Sequence, residues 1–173
     1  MDKNNKEYIK TLLDNIIIIE DSRETNHNIT NTFDNYNIKH KRKKLESGDY
    51  CAYIPADGKL LKEDLYSTVV IERKSGLDEI SQNLTKSKDR FHREFERSDK
   101  QIIIMIENNS YEDLCEGNYK SQLKPKNFLS LLHSFVDRYN SSFVFIKNSK
   151  YSPIFIYKTL YYNLYNQLKI FIK

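Results

Sequence analysis

Residues 68–78 read TVVIERKSGLD, and their pattern is the clearest indication of the fold in this sequence. Thr68–Ile71 is a run of four β-branched residues, and such a run predicts a buried strand whose charged end is Glu72. The segment Leu77–Leu84 follows after a short turn, and its apolar spacing predicts a short helix. The stretch therefore predicts a strand that leads directly into a helix.

The rest of the chain repeats this alternation of strands and helices. Further strands are predicted at residues 16–19, 38–45, 50–54, 101–107 and 142–147, and further helices at residues 3–14, 29–36, 89–97, from 125 and from 152. Long apolar strands that alternate with amphipathic helices are typical of an α/β sheet covered on both faces. In such sheets the chemistry gathers where strand ends and loops meet.

Composition narrows the class of protein. The 173 residues are 39% hydrophobic and 30% charged with a net charge of +4, which predicts one globular domain and permits an anionic partner. Cys51 and Cys115 are far apart, so a zinc or disulfide framework is not expected. With a polar N-terminus and no apolar run of membrane-spanning length, we expect an intracellular, cytoplasmic protein without a membrane partner.

Acidic and basic residues stand at the predicted strand ends. Asp49 begins the strand after Gly48, Glu72 ends the next strand, and Lys74 lies two residues beyond it. Residues i and i+2 of an extended chain point to the same side, so Glu72 and Lys74 project together while Arg73 faces the other way. If the two strands pair as a hairpin, Asp49 and Glu72 form an oxygen-rich site suited to Mg²⁺ or Mn²⁺, as phosphodiester cleavage requires. The alternative is that Asp49 is a turn residue and that Glu72 and Lys74 form an ordinary ion pair.

Four segments together resemble a known family. The segments are DSRE at 21–24, GDY at 48–50, ERKSGLD at 72–78 and QIIIMIE at 101–107. In this order they resemble the DxRE, GD and ERKxxxD signatures, with the following strand, of the XPF-type nuclease domain in the restriction-endonuclease-like superfamily. The resemblance covers about residues 16–107, and the helix-strand-helix order of 125–172 also suits it. It implies a restriction-endonuclease-like mixed central sheet flanked by helices, with 1–173 as a single nuclease domain.

The resemblance implies roles for the residues of the motif. Asp49 and Glu72 would be metal ligands, with the backbone carbonyl of Arg73 as a further ligand. Lys74 would be the catalytic lysine, and Asp78 an outer ligand or an orienter of Lys74. The expected cofactor is Mg²⁺ or Mn²⁺.

The DSRE segment would form an acidic rim beside that site. Asp21 and Glu24 could bind a second metal ion, and Arg23 would either pair with those acids or contact DNA phosphate. Other basic residues expected to contact the DNA backbone are Lys43, Lys86, Lys88 and Arg90. Alternatively, the basic residues from 86 onward form a solvated helix face, because acids are interleaved with them.

The predicted function is that of a metal-dependent endonuclease that hydrolyses DNA phosphodiester bonds. We expect a branched or junction substrate, in recombination, repair or mobile-element DNA processing. No helix-hairpin-helix module is expected, although members of the family usually carry one. A homodimer is expected through the C-terminal helices at Lys126–Tyr139 and Ile154–Ile170, because their stripes carry many bulky residues. Two alternatives remain: a non-catalytic DNA-binding or scaffolding protein with the same fold, and a nuclease subunit that needs a partner.

Overall fold

The strands form where β-branched and aromatic residues are concentrated. The structure is a computed structural model, and it describes residues 3–25 and 28–171. The strands are β1 (Ile17–Glu20), β2 (His40–Arg42), β3 (Tyr50–Ile54), β4 (Leu65–Tyr66), β5 (Val69–Lys74), β6 (Gln101–Glu107) and β7 (Ser142–Ile146). Within these ranges the strands form a seven-stranded sheet in the order β2-β1-β3-β5-β6-β7, with β4 paired to β3.

The sheet is mixed, as the sequence predicted. β1 runs parallel to β2 and antiparallel to β3, so Glu20 lies opposite both Arg42 and Tyr50. β6 runs parallel to β7, which places Glu107 opposite Ile146. Acidic residues thus end two buried strands, β1 and β6.

Helices flank this sheet. They are α1 (Lys3–Leu13), α2 (Asn28–Asn35), α3 (Leu77–Leu84), α4 (Lys88–Arg97), α5 (Tyr111–Glu116), α6 (Pro125–Arg138) and α7 (Ser152–Phe171). α6 begins at Pro125, where the missing N–H is not needed by the helix. α3 buries Leu77, Ile80 and Leu84, the apolar positions of its predicted face. The predicted fold class, an α/β protein with a mixed central sheet flanked by helices, is confirmed.

The chain divides into two compact units. The first unit comprises residues 1–45, 49–70 and 153–173, and the second comprises 46–48 and 71–152. The core of the first includes Ile18 and Tyr50, and that of the second includes Ile71 and Phe128, all of them fully buried. That 1–173 is a single nuclease domain stays a prediction, and its terminal residues 1–2 and 172–173, including the end of the predicted 125–172 segment, lie outside the described residues.

Several elements differ from their predicted bounds. β2 covers residues 40–42 of the predicted 38–45, because its pairing with β1 ends at Glu20 and Arg42. β5 continues through Lys74, two residues past the predicted strand end. β4 and α5 were not predicted, since each is too short for a periodic pattern. α5 nevertheless has a sequence signal, because Ser110 and Asp113 form a capping box at its start.

Candidate active site

Glu72 and Lys74 lie together at the end of β5 in the second unit. Both are buried, with 4% and 6% of their surface exposed, and the Lys74 Nζ lies 2.5 Å from the Glu72 Oε1. The i, i+2 spacing on an extended strand brings them to one side, as the sequence predicted. The structure thus shows the ion pair that was one of the two interpretations of these residues.

Burial dominates the electrostatics of this pair. It raises the pKa of Glu72 from 4.5 to about 7, against the opposing effect of the Lys74 charge. Within the described part of the chain, the Glu72 Oε2 is buried without a hydrogen-bond partner. A desolvated carboxylate with one open oxygen gains from any further positive charge placed beside it.

Two more side chains hold the Lys74 ammonium, and the sequence did not predict either of them. The Glu79 Oε1 lies 3.6 Å from the Lys74 Nζ, and the Phe91 ring centroid lies 5.2 Å from it. The Glu79 Oε2 accepts hydrogen bonds of 2.8 Å from both the backbone N–H and the hydroxyl of Ser75. Burial raises the pKa of Glu79, but these hydrogen bonds and the Lys74 charge together bring it below its usual value. Contacts with Glu72, Glu79 and Phe91 therefore restrict the position of the ammonium.

Arg73 points to a different partner. Its Nη2 lies 2.6 Å from the Oε2 of Glu107, which is 1% exposed at the end of β6. The Glu107 Oε1 is buried without a hydrogen-bond partner among the described residues. No role was predicted for Glu107, although an acid at the end of an apolar strand is the same signal that singled out Glu72. The proposed part of Arg73 in a metal site concerns its backbone carbonyl and stays a prediction.

The turn between β5 and α3 depends on Gly76. The Asn109 side-chain oxygen accepts a hydrogen bond of 2.9 Å from the backbone N–H of Leu77 at the start of α3. A Cβ on Gly76 would lie 2.9 Å from that same oxygen, so any larger residue would displace this contact. Gly76 thus allows the close approach that links β5, α3 and the end of β6.

Asp78 forms hydrogen bonds that hold the loop at residues 120–121. Its Oδ1 accepts hydrogen bonds of 2.8 Å from the backbone N–H groups of Lys120 and Ser121. The predicted roles of Asp78, as an outer metal ligand or an orienter of Lys74, stay predictions. Sequence spacing could not have revealed these contacts, since they join residues more than forty positions apart.

The acidic rim predicted from the DSRE segment lies in the first unit. Asp21 is 1% exposed and accepts hydrogen bonds from the Arg23 backbone, from the Arg23 guanidinium at 2.8 and 3.0 Å, and from the Leu45 N–H at 2.7 Å. Burial raises the pKa of Asp21, but these bonds bring it below its usual value. The Asp21 N–H donates to the Asp49 carbonyl over 2.7 Å. Arg23 therefore pairs with Asp21, while their roles toward metal and phosphate stay predictions.

The remaining predicted residues are at or near the surface. Asp49 is half-buried directly after Gly48, whose φ of 69° is in the region that favours glycine. Lys43, Lys86, Lys88 and Arg90 are exposed. That exposure fits both a DNA contact and a solvated surface.

Metal binding would depend on the carboxylates of the described residues. In residues 3–25 and 28–171, no group of three or more His, Cys, Asp and Glu side chains is arranged to hold a metal ion. Two buried carboxylates, Glu72 and Glu107, nevertheless each have an oxygen without a hydrogen-bond partner. Carboxylate oxygens are the ligands that Mg²⁺ prefers, and that ion commonly keeps several water ligands beside one or two carboxylates. Glu72, one of the expected metal ligands, therefore has an oxygen that could bind such an ion.

Comparison with known proteins identifies the family. The ERCC4 domain matches residues 20–159, most of the chain, and the chain belongs to the ERCC4 domain family, a family of nuclease domains. The fold matches XPF from Aeropyrum pernix with a TM-score of 0.58 at 14% identity, over 83% of this chain and 63% of that one. XPF from Aeropyrum pernix in complex with DNA matches with a TM-score of 0.59 at 14% identity, over 84% of this chain and 63% of that one.

The structural matches cover only part of each XPF chain. The chain spans about 63% of the length of the XPF chains it matches, so the likeness concerns the nuclease fold. None of the curated protein sequences matches this chain. Among the described helices, none is long and apolar enough to cross a membrane.

Proposed function

We propose that this protein is a metal-dependent endonuclease that hydrolyses DNA phosphodiester bonds. The observation that carries the proposal is the buried Glu72–Lys74 pair at the end of β5. A desolvated carboxylate beside a fixed ammonium is costly for folding, and such arrangements concentrate at functional sites. Its position within the ERKxxxD signature of an ERCC4 domain supports a catalytic role.

Different residues would serve as metal ligands and as the hydrogen-bond donor of the cleavage reaction. Asp49, Glu72 and the backbone carbonyl of Arg73 would hold Mg²⁺ or Mn²⁺, which supplies charge neutralisation and an acidified water when bound. The Lys74 ammonium donates hydrogen bonds to the attacking water or to the charge that develops on the phosphate. Glu79 and Phe91 keep that ammonium in place, so it need not reorganise during the reaction. Asp21, on the acidic rim, is a candidate ligand for a second ion.

DNA is the proposed partner. The complex of a fold relative with DNA supports this proposal, as do the exposed basic side chains of Arg23, Lys43, Lys86, Lys88 and Arg90. Side chains of this kind contact phosphates and read backbone geometry, so binding is independent of base sequence. We expect a branched or junction substrate, handled in recombination, repair or mobile-element processing.

A homodimer completes the proposal. Phe128 and Phe135 of α6 are buried in the second unit and contribute to its own core. Along α7, however, Tyr157, Tyr161 and Tyr165 are half-buried, and their neighbours include an exposed Tyr162. The support for pairing therefore rests on α7 more than on α6. Light scattering at micromolar concentration tests it, and a monomer with full activity would contradict it.

A non-catalytic DNA-binding protein is the alternative function. It would have no need of a buried carboxylate whose pKa is raised to about 7, since replacing such a pair with apolar residues is often neutral or stabilising. The intact pair favours the nuclease. A nuclease subunit that requires a partner differs only in needing a second protein for activity.

The test is a cleavage assay on a panel of DNA structures. Purified protein with Mg²⁺ is incubated with linear, flapped, forked and four-way DNAs, with EDTA as the control. We expect cleavage of a branched substrate that EDTA abolishes. Binding without cleavage of any substrate would favour the non-catalytic alternative, and cleavage at a strict recognition sequence in plain duplex would indicate a restriction-type enzyme.

A further inference from the structure

A polar pocket in the second unit is lined in part by Asp78, on the helix that follows β5. It has a volume of about 590 Å³ and lies between α3 and residues 120–123. Two lysines, Lys86 and Lys120, contribute to its lining from opposite segments. The proposed cleavage chemistry uses neither Lys120 nor the loop that carries it.

The loop is held against α3 by specific hydrogen bonds. Asp78 accepts from the backbone N–H groups of Lys120 and Ser121, and the Ser81 and Ser121 hydroxyl oxygens are 2.5 Å apart. On its other side the loop is closed by the Tyr119 hydroxyl, which donates to the Leu123 carbonyl over 2.7 Å. The pocket is therefore built by the fold before any ligand arrives.

The lining carries two lysines and one carboxylate, an excess of positive charge. Lys86 and Lys120 are exposed cations, while the Asp78 carboxylate is engaged by two backbone amides. The Gln82 and Gln122 side-chain amides add neutral hydrogen-bonding groups. Two ammonium groups with amide donors form a site for a phosphate, which carries negative charge and several acceptor oxygens.

We propose that this pocket binds one phosphate of the DNA backbone, with Lys86 and Lys120 contacting it together. The inference rests on the proposed function and extends it, because it assigns a DNA contact to the loop after α5. Asp78 acts as a positioning residue here, since it fixes the backbone of Lys120. Such a contact would orient the DNA at a distance from the phosphate that is cleaved.

Binding measurements on matched lysine variants test the assignment. Fluorescence anisotropy with labelled flap DNA and Ca²⁺ compares wild type with Lys86→Ala, Lys120→Ala, the double variant and Lys124→Ala. Lys124 is the control, because it is exposed on the same loop but does not line the pocket. We expect each pocket variant to raise Kd about three- to fivefold at roughly 0.1 M salt, and to make the slope of log K against log salt shallower by up to about one.

The double variant tests whether the two lysines share one phosphate. Because they would act on the same group, its loss is expected to be smaller than the product of the two single losses. Fully independent losses would mean separate contacts and would overturn the shared pocket. Wild-type affinity in Lys120→Ala, matching the Lys124→Ala control, would overturn it as well.

A second probe separates this inference from the proposed function. Inorganic phosphate is titrated into the wild-type protein while the backbone amides are followed by NMR. Shifts centred on residues 120–122 and 86 are expected, with smaller shifts at Lys124. If wild type fails to bind DNA, the proposed function and the assignment to DNA both fail, and phosphate-induced shifts would leave only a general anion site. If wild type cleaves DNA while the pocket variants behave like the control, the inference is wrong and Lys86 is not a DNA contact, but the proposed cleavage activity stands.

Discussion

Replacing Glu72 with glutamine is expected to change the pH dependence of stability. In the metal-free protein, burial raises the pKa of Glu72 in the folded chain to about 7 from its usual 4.5. The folded state therefore binds a proton more tightly at this group than the unfolded state does. Any stability that this proton gives is fully present below about pH 4.5 and is lost as the pH rises through about 7.

The size of the effect follows from the pKa difference. One unit of pKa corresponds to about 1.4 kcal/mol. Keeping Glu72 ionised in the folded protein therefore lowers the free energy of unfolding by about 3 kcal/mol above pH 7. The cost is under about 1 kcal/mol near pH 5, so it grows by about 2–3 kcal/mol between about pH 5 and pH 8. The glutamine side chain of the Glu72→Gln variant cannot ionise, so the variant's free energy of unfolding lacks this pH-dependent cost. The variant also loses the carboxylate partner of Lys74, so the quantity compared is the change of the difference with pH and not its absolute size.

Urea unfolding in EDTA at a series of pH values measures this difference. The free energy of unfolding of Glu72→Gln minus that of wild type is expected to rise by about 2–3 kcal/mol from about pH 5 to pH 8. Glu63→Gln is the matched control, because Glu63 is exposed to water and the same chemical change there has no buried charge to remove. If the difference between Glu72→Gln and wild type stays constant with pH, the Glu72 carboxylate of the wild type is not desolvated, and this prediction is wrong.

Three further predictions concern the site and its surroundings. Lys74→Ala is expected to lower the cleavage rate far more than it weakens DNA binding in a filter-binding assay, whereas equal losses would make Lys74 only a phosphate anchor. Asp78→Ala is expected to destabilise the fold by about 1–3 kcal/mol in urea unfolding, since two loop N–H groups lose their acceptor, and an unchanged midpoint would contradict this. DNA affinity is expected to fall with salt at a slope of roughly −3 to −4 per protomer, and a slope near zero would exclude binding through phosphates.

The fold could be predicted because its strands carry an unambiguous pattern. Runs such as Thr68–Ile71 and Ile102–Ile104 consist wholly of β-branched residues, and the segments between them have helical spacing. The strand at 38–45 was too long in the prediction, because its run of basic residues continues in sequence after β1 has ended. Pairing partners set that boundary, and they are not visible in the local pattern.

The site could be predicted only in part. The i, i+2 geometry of a strand was enough to bring Glu72 and Lys74 together. Glu79 was overlooked, because its approach to Lys74 depends on the tight turn at Gly76. Glu107 and the loop at 120–123 meet their partners from distant parts of the sequence, and spacing within one segment carries no information about such contacts.

We propose that Asp49 and Glu72 serve the same metal-dependent cleavage reaction. The most direct measurement is the single-turnover rate of flap DNA cleavage with saturating Mg²⁺ for wild type, Asp49→Ala and Glu72→Gln. Asp99→Ala is the control, because it removes an exposed carboxylate. We expect wild type and Asp99→Ala to cleave at similar rates, while Asp49→Ala and Glu72→Gln are each slowed by at least about 100-fold, the loss of roughly 3 kcal/mol of transition-state stabilisation. Near-wild-type cleavage by either Asp49→Ala or Glu72→Gln would contradict it.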